Sequence, residues 1–110
     1  GNHDSHAGDP PPAWDMVIVD EPHALPPFLG CHHPATPRSG YVLCGHIHPG
    51  VSVGATAEPS VRMPCFVLGR RRAILPAFGR LTGLAAPPFL AGDRVVAIAG
   101  RRLVRLPLRD

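Results

Sequence analysis

The chain has no lysine: all eleven of its basic residues are arginine. Function alone seldom removes one basic residue type completely. A GC-rich coding bias accounts for it, together with fifteen Pro and abundant Ala and Gly. Arginine richness therefore says little about ligands. The formal charge of +3 permits phosphate-bearing partners without requiring them. Aromatics are scarce, with one Trp, one Tyr and four Phe, which leaves little material for stacking bases along a groove. No apolar run approaches the ~20 residues that span a bilayer. No N-terminal run joins a basic end to an apolar core. The expected location is cytoplasmic, with no membrane partner. Cysteines are few and odd in number, Cys31, Cys44 and Cys65, which argues against a disulfide framework. Each lies among apolar neighbours, as small core residues do.

At 110 residues the chain makes one small domain, burying roughly 65% of its unfolded surface. It opens directly on a motif, without an initiator methionine, and reads as a partial domain spanning residues 1–110. Residues 5–12 are a breaker-rich loop. Residues 14–20 are β-branched and apolar and predict a strand. Pro22, Pro26 and Pro27 interrupt the chain, and a short apolar run from Phe28 to Cys31 ends on His32-His33-Pro34. Tyr41 to Cys44 reads as a buried strand running into Gly45-His46-Ile47-His48. Further strands are expected over 50–54, 61–68, 72–76, 94–99 and 102–106. Gly69-Arg70-Arg71, Gly92-Asp93 and Gly100-Arg101 serve as turns. Pro87 and Pro88 argue against a long helix over 83–91. A strand-rich chain of this kind needs a partner layer for its sheet faces.

Three histidine-bearing motifs carry the chemistry. In Gly45-His46-Ile47-His48, the glycine lets the chain turn as it leaves a strand, so two imidazoles can reach different points; imidazole ligates Zn, Mn and Fe. Taken alone, the motif is also what a His-rich surface loop looks like. Asn2-His3-Asp4 combines an amide oxygen able to ligate a metal, an imidazole able to donate a proton, and a carboxylate able to fix its tautomer. Alone it reads equally as a turn. His32-His33-Pro34 puts a histidine at a strand end, and two adjacent histidines do not easily ligate one metal.

Order and context join these pieces. Gly-Asn-His-Asp, then a histidine at a strand end, then Gly-His-x-His after an apolar strand, resembles the calcineurin-like metallophosphoesterase family. The resemblance extends through Arg62-Met63-Pro64-Cys65-Phe66, Leu75-Pro76-Ala77-Phe78-Gly79 and Thr82-Gly83 to the DNA ligase-associated subgroup, similar to small phosphoesterases encoded beside a DNA ligase and a helicase. It implies an α/β fold, a β-sandwich flanked by helices, of which this chain is a strand-rich C-terminal part. It implies two divalent metal ions, manganese first, with iron or zinc as alternatives. Asn2, His32 and His46 ligate one ion and His48 the other. His3, oriented by Asp4, contacts the phosphate and assists the leaving group. His32 rather than His33 is the expected ligand. The implied activity is hydrolysis of phosphate mono- or diesters by a hydroxide clamped between two metals about 3.5–4 Å apart. The implied setting is DNA repair, with DNA as a partner. The substrate-binding residues are not read from the sequence.

The pattern is incomplete. The family places an Asp-x-His and a Gly-Asp ahead of Gly-Asn-His-Asp. Here Asp9, Asp15 and Asp20 all follow it. The bridging carboxylate and two ligands of the second metal are therefore expected to be missing, leaving the fragment inactive. Arg70-Arg71-Arg72 reads as a solvated turn before it reads as a phosphate contact. Phe78 reads as core or a site wall. An alternative is a mononuclear zinc module without catalysis, with Cys31, His32, Cys44 and His46 as a Cys₂His₂ set. Replacing Cys31 and Cys44 with Ala separates the two. The phosphoesterase keeps its metals, measured by metal analysis, whereas the zinc module loses its fold.

Overall fold

A computed structural model of the chain describes Gly8 and residues 11–35, 39–52, 62–79, 83–86 and 89–107. Its strands are β1 (His23–Leu25), β2 (Phe28–Gly30), β3 (Tyr41–Cys44), β4 (Gly50–Ser52), β5 (Arg62–Leu68), β6 (Arg72–Ile74), β7 (Arg94–Ala99) and β8 (Arg102–Leu106). They form one mixed sheet in the order β1-β2-β3-β6-β5-β7-β8, with β4 pairing β5 off this path. β2, β3 and β6 run parallel, and the other pairings are antiparallel.

The expected α/β architecture, a β-sandwich flanked by helices, is overturned. Among the described residues there is no α-helix, only a single 3-10 turn at Pro12–Trp14. The reason lies in composition. The apolar segments are short and β-branched, and proline or glycine interrupts them before an amphipathic helical turn can repeat. The expected strand over 14–20 is also absent. Residues 15–20 form no ladder and all of 14–20 is exposed, Val17 at 86%. A strand exists only where a neighbour takes its backbone hydrogen bonds, and none of the described strands lies against this segment. Conversely, β1 escaped the sequence reading because three residues between prolines carry no alternation.

Most other strands fall where β-branched and apolar residues predict them. The β7–β8 hairpin closes through Gly100-Arg101, with Ala99 opposite Arg102. Gly100 has φ 62° and Arg101 is not in the positive-φ region, the pattern of a two-residue II′ turn that needs glycine first. The core lies on one sheet face. Val42, Cys44, Cys65, Val67, Ile74 and Val95 are buried together, and Leu29, Cys31, Ile47, Val51 and Leu106 pack against them. All three cysteine thiols are free.

At the lower end of the sheet, where β3 begins, Arg72 and Asp93 are both buried. Arg72 Nη2 lies 3.6 Å from Asp93 Oδ2, and Asp93 Oδ2 accepts a 2.7 Å hydrogen bond from the Leu90 amide. The Tyr41 hydroxyl lies 2.6 Å from the Gly69 carbonyl oxygen and 2.9 Å from that of Arg72. Arg72 is therefore not part of a solvated turn. It is a buried strand residue whose charge Asp93 offsets, while Arg70 and Arg71 remain exposed.

Burial pushes the Cys65 thiol up to about 11 and raises Cys44 and Tyr41 for the same first reason. Each folded-state value lies above its ordinary one, so these groups stabilise the fold below the ordinary thiol and phenol range. That contribution is lost as pH rises toward the folded values. Urea melts at increasing pH are expected to show stability falling from about pH 9 upward. Cys65→Ala is expected to flatten that alkaline slope.

Candidate metal centre

Parallel pairing of β2 and β3 sends both strands to the same edge of the sheet, Leu29 opposite Val42 and Gly30 opposite Leu43. The ladder continues past the strand ends, with Cys31 N donating to Leu43 O at 2.9 Å and Gly45 N to His32 O at 2.9 Å. These two bonds hold the His32-His33 and Gly45–His48 loops side by side. Leu75 N donates to Cys44 O at 2.8 Å and ties β6 to the same edge.

The Gly45–His48 loop is bent by backbone geometry that L-residues rarely adopt. His46 has φ 70° and His48 φ 55°. Ile47 N donates to Gly45 O at 2.8 Å, closing a three-residue turn around His46. A turn of this kind with positive φ at its centre is rare and strained. Its effect is to aim His46 back across the edge at His32. The next turn is fixed from below. Ala85 N donates to His48 O at 3.0 Å and Gly50 N to Ala85 O at 2.9 Å. A Cβ on Gly50 would approach Leu84 Cβ at 2.6 Å, so only glycine admits this close passage.

The result is a cluster of three imidazoles. One ring nitrogen from each of His32, His33 and His46 lies within 4.8 Å of the others. His32 Nε2 and His46 Nδ1 are 3.1 Å apart, and the His33 and His46 ring centroids are 4.2 Å apart. His32 is half-buried and the other two are exposed. Burial lowers the His32 pKa first, and the neighbouring imidazoles act in the same direction. The ring is thereby kept neutral, the form that ligates a metal.

His33 belongs to the cluster as much as His32 does, because the chain bends after His32 and brings both rings toward His46. His48 is not among the three clustered residues. Asn2, His3 and Asp4 lie outside the described residues. The Cys₂His₂ alternative finds no support in the geometry. The Cys44 thiol is buried and donates to Ala73 O at 3.3 Å, and the clustered ligands among the described residues are histidines alone. Phe78 is fully exposed and is not part of the core.

Glu21 went unnoticed in the sequence. It accepts a short hydrogen bond from the His32 backbone amide. That bond comes first among the causes holding its carboxyl below the ordinary range. Its Oε1 also lies 3.6 Å from His33 Nδ1. This separation is too long for a hydrogen bond, but it places the carboxylate beside the His33 ring. Asp20, Glu21, His23, Cys31, His32 and His33 line one open cavity of about 580 Å³ beside the cluster. The available signal was an acidic pair about ten residues ahead of a His-His pair, and spacing of that kind has no periodicity to recommend it.

No family model matches the chain, and no curated protein matches it. Among solved structures, the chain is similar to the crystal structure of Pseudomonas putida nuclease MPE. The two are 38% identical over 96% of this chain and 51% of that one, with a TM-score of 0.76. The chain thus spans about half the length of that nuclease. No helix among the described residues is long and apolar enough to cross a membrane.

If Glu21 sets the cluster, Glu21→Gln is expected to weaken Zn²⁺ binding by about 10- to 100-fold, measured by calorimetry. The lowered His32 pKa carries a sign. Binding by the wild-type chain is expected to persist somewhat below 6.5, the ordinary imidazole value, and to fall only as pH drops through the folded value. Unchanged affinity in Glu21→Gln would remove Glu21 from the site.

Proposed function

We propose that this chain is the C-terminal part of a metal-dependent phosphoesterase of the calcineurin-like, DNA ligase-associated kind, cutting phosphodiesters in nucleic acid. The observation that carries the reading is the cluster of His32, His33 and His46 at the edge where two parallel strands end. Similarity to a nuclease over 96% of the chain supports it. The proposed partners are DNA and, functionally, a ligase and a helicase, and the proposed location is cytoplasmic.

The donor set fits a divalent cation. Three imidazoles suit zinc or iron, and the carboxylates of Asp20 and Glu21 in the adjoining cavity add the oxygen that manganese prefers. In this proposal His32 and His46, with Asn2, hold one ion, and His33 is the alternative to His32. His48 belongs to a second ion. Such ions, when bound, neutralise charge at the phosphate oxygens and make an attacking water more acidic. The residues of the chain do the rest. His32 Nε2 and His46 Nδ1 lie 3.1 Å apart, so for both to ligate one ion each ring would have to carry its proton on its other nitrogen. Glu21 holds the His32 backbone in place and sets a carboxylate beside the His33 ring. His3, with Asp4, is assigned the proton delivered to the leaving oxygen.

The test compares this chain with a protein extended upstream through Asp-x-His and Gly-Asp, each with Mn²⁺ or Zn²⁺, on bis-p-nitrophenyl phosphate. Activity is expected in the longer protein. His46→Ala is expected to lower kcat by about 100-fold or more, as loss of a proton-transfer or electrostatic group does. His3→Ala is expected to do the same. Metal-independent activity, or activity indifferent to His46→Ala, would refute the reading.

A further inference from the structure

The histidines occupy one end of β3, and a second, differently charged cleft lies at the other. β6 runs parallel to β3, so the turn that leads into β6 sits where β3 begins. β5 ends there and β7 starts there, with Leu68 opposite Arg94. Tyr41, Leu68, Gly69, Arg70, Gly92 and Arg94 line a cleft of about 320 Å³ at this junction.

Its electrostatics are one-sided. Arg70 and Arg94 are both exposed, and among the described residues no carboxylate lines the cleft, though Asp93 Oδ1 lies behind Gly69, where a Cβ would meet it at 2.5 Å. The nearest acid in sequence, Asp93, is buried and faces Arg72 at 3.6 Å and the Leu90 amide at 2.7 Å. Its charge is already offset from within. The Arg70 side chain is laid across Gly92, where a Cβ would meet its Nε at 2.8 Å. Gly92 has φ 86°, so both its conformation and its lack of a side chain clear the path of the guanidinium. Two exposed arginines lining one open cleft, with Asp93 buried against Arg72, are suited to the paired oxygens of a phosphate.

We infer that the Arg70–Arg94 cleft is a second anion subsite, which holds a backbone phosphate of a single-stranded nucleic acid while the histidine end acts on the same strand. The identity of the anion rests on the proposed nuclease reading; the cleft itself does not. The four residues of β3 separate the two ends by roughly 10 Å. The subsite would therefore grip the strand a short distance from the histidines and set its direction across the sheet.

The experiment is fluorescence anisotropy of this chain with a labelled single-stranded DNA of about twenty nucleotides, between about 50 and 200 mM salt. Arg70→Gln/Arg94→Gln is expected to weaken binding about tenfold or more. It is also expected to reduce the slope of log K against log salt by about 0.7, for one neutralised phosphate. Arg70→Lys/Arg94→Lys is expected to restore most of the slope. Arg101→Gln/Arg102→Gln removes the same charge from the β7–β8 turn and is expected to change the slope little. Thermal melts followed by circular dichroism check that each variant is folded, and the lysine pair keeps the comparison valid should the glutamine pair unfold. Equal losses in both glutamine pairs would mean diffuse charge and overturn the subsite, as would no salt-dependent binding by the wild-type chain. Arginine-dependent binding of inorganic phosphate with an unchanged oligonucleotide slope would make this a site for small phosphates and overturn the nucleic-acid assignment. Failure of the hydrolysis test leaves the slope measurement standing, so the two readings fail separately.

Discussion

Parallel pairing of β2 with β3 is the constraint on which the arrangement depends. An antiparallel pair would send the two strands to opposite ends of the sheet and leave His32 and His46 far apart. A parallel pair delivers both chain exits to one edge. The two backbone bonds beyond the strands, Cys31 to Leu43 and Gly45 to His32, carry that alignment into the loops. The two loops at the histidine edge are held by main-chain hydrogen bonds, with the Glu21 carboxylate on the His32 amide, so the imidazoles sit on a fixed base while two of the three rings are exposed.

The same sheet separates two kinds of charge chemistry. At the upper edge, burial and mutual repulsion keep His32 neutral and ready to donate a lone pair. At the lower end, arginines face solvent while the one nearby acid is turned inward to Arg72. The buried pair lies between the core and the cleft. A buried ion pair adds little net stability against an apolar replacement, but removing one partner leaves an uncompensated charge. Its structural consequence is to turn Asp93 toward Arg72, so that among the described residues no carboxylate lines the cleft with Arg70 and Arg94.

Local backbone demands explain where the chain tolerates no side chain or accepts an unusual one. Gly50 admits Leu84 at a distance no Cβ allows. That passage lets Ala85 bond to His48 and Gly50 on either side of the buried Pro49. His46 and His48 take positive φ although neither is glycine. Such conformations persist only where surrounding structure enforces them, and here the hydrogen-bonded frame of Gly45 and Ala85 does so.

Much of the fold was legible in the residues themselves. Val42 and Cys44, Cys65 and Val67, and Val95 and Ala97 alternate as half-buried strands do, and glycine marks the β7–β8 turn. The histidine motifs were legible through their order and context, since each alone reads as a surface loop or a turn. Sequence alone did not determine that residues 14–20 lack a strand partner, because pairing is a relation between segments and hydrophobicity is a property of one. It did not reveal Glu21, whose place beside His32 and His33 arises from a bend through prolines with no periodic signature. Nor could it settle that His33 joins His32 against His46, or that Arg72 is buried while Arg70 is exposed. Those outcomes depend on strand direction and register, which the tertiary structure decides by matching backbone hydrogen bonds across distant parts of the chain.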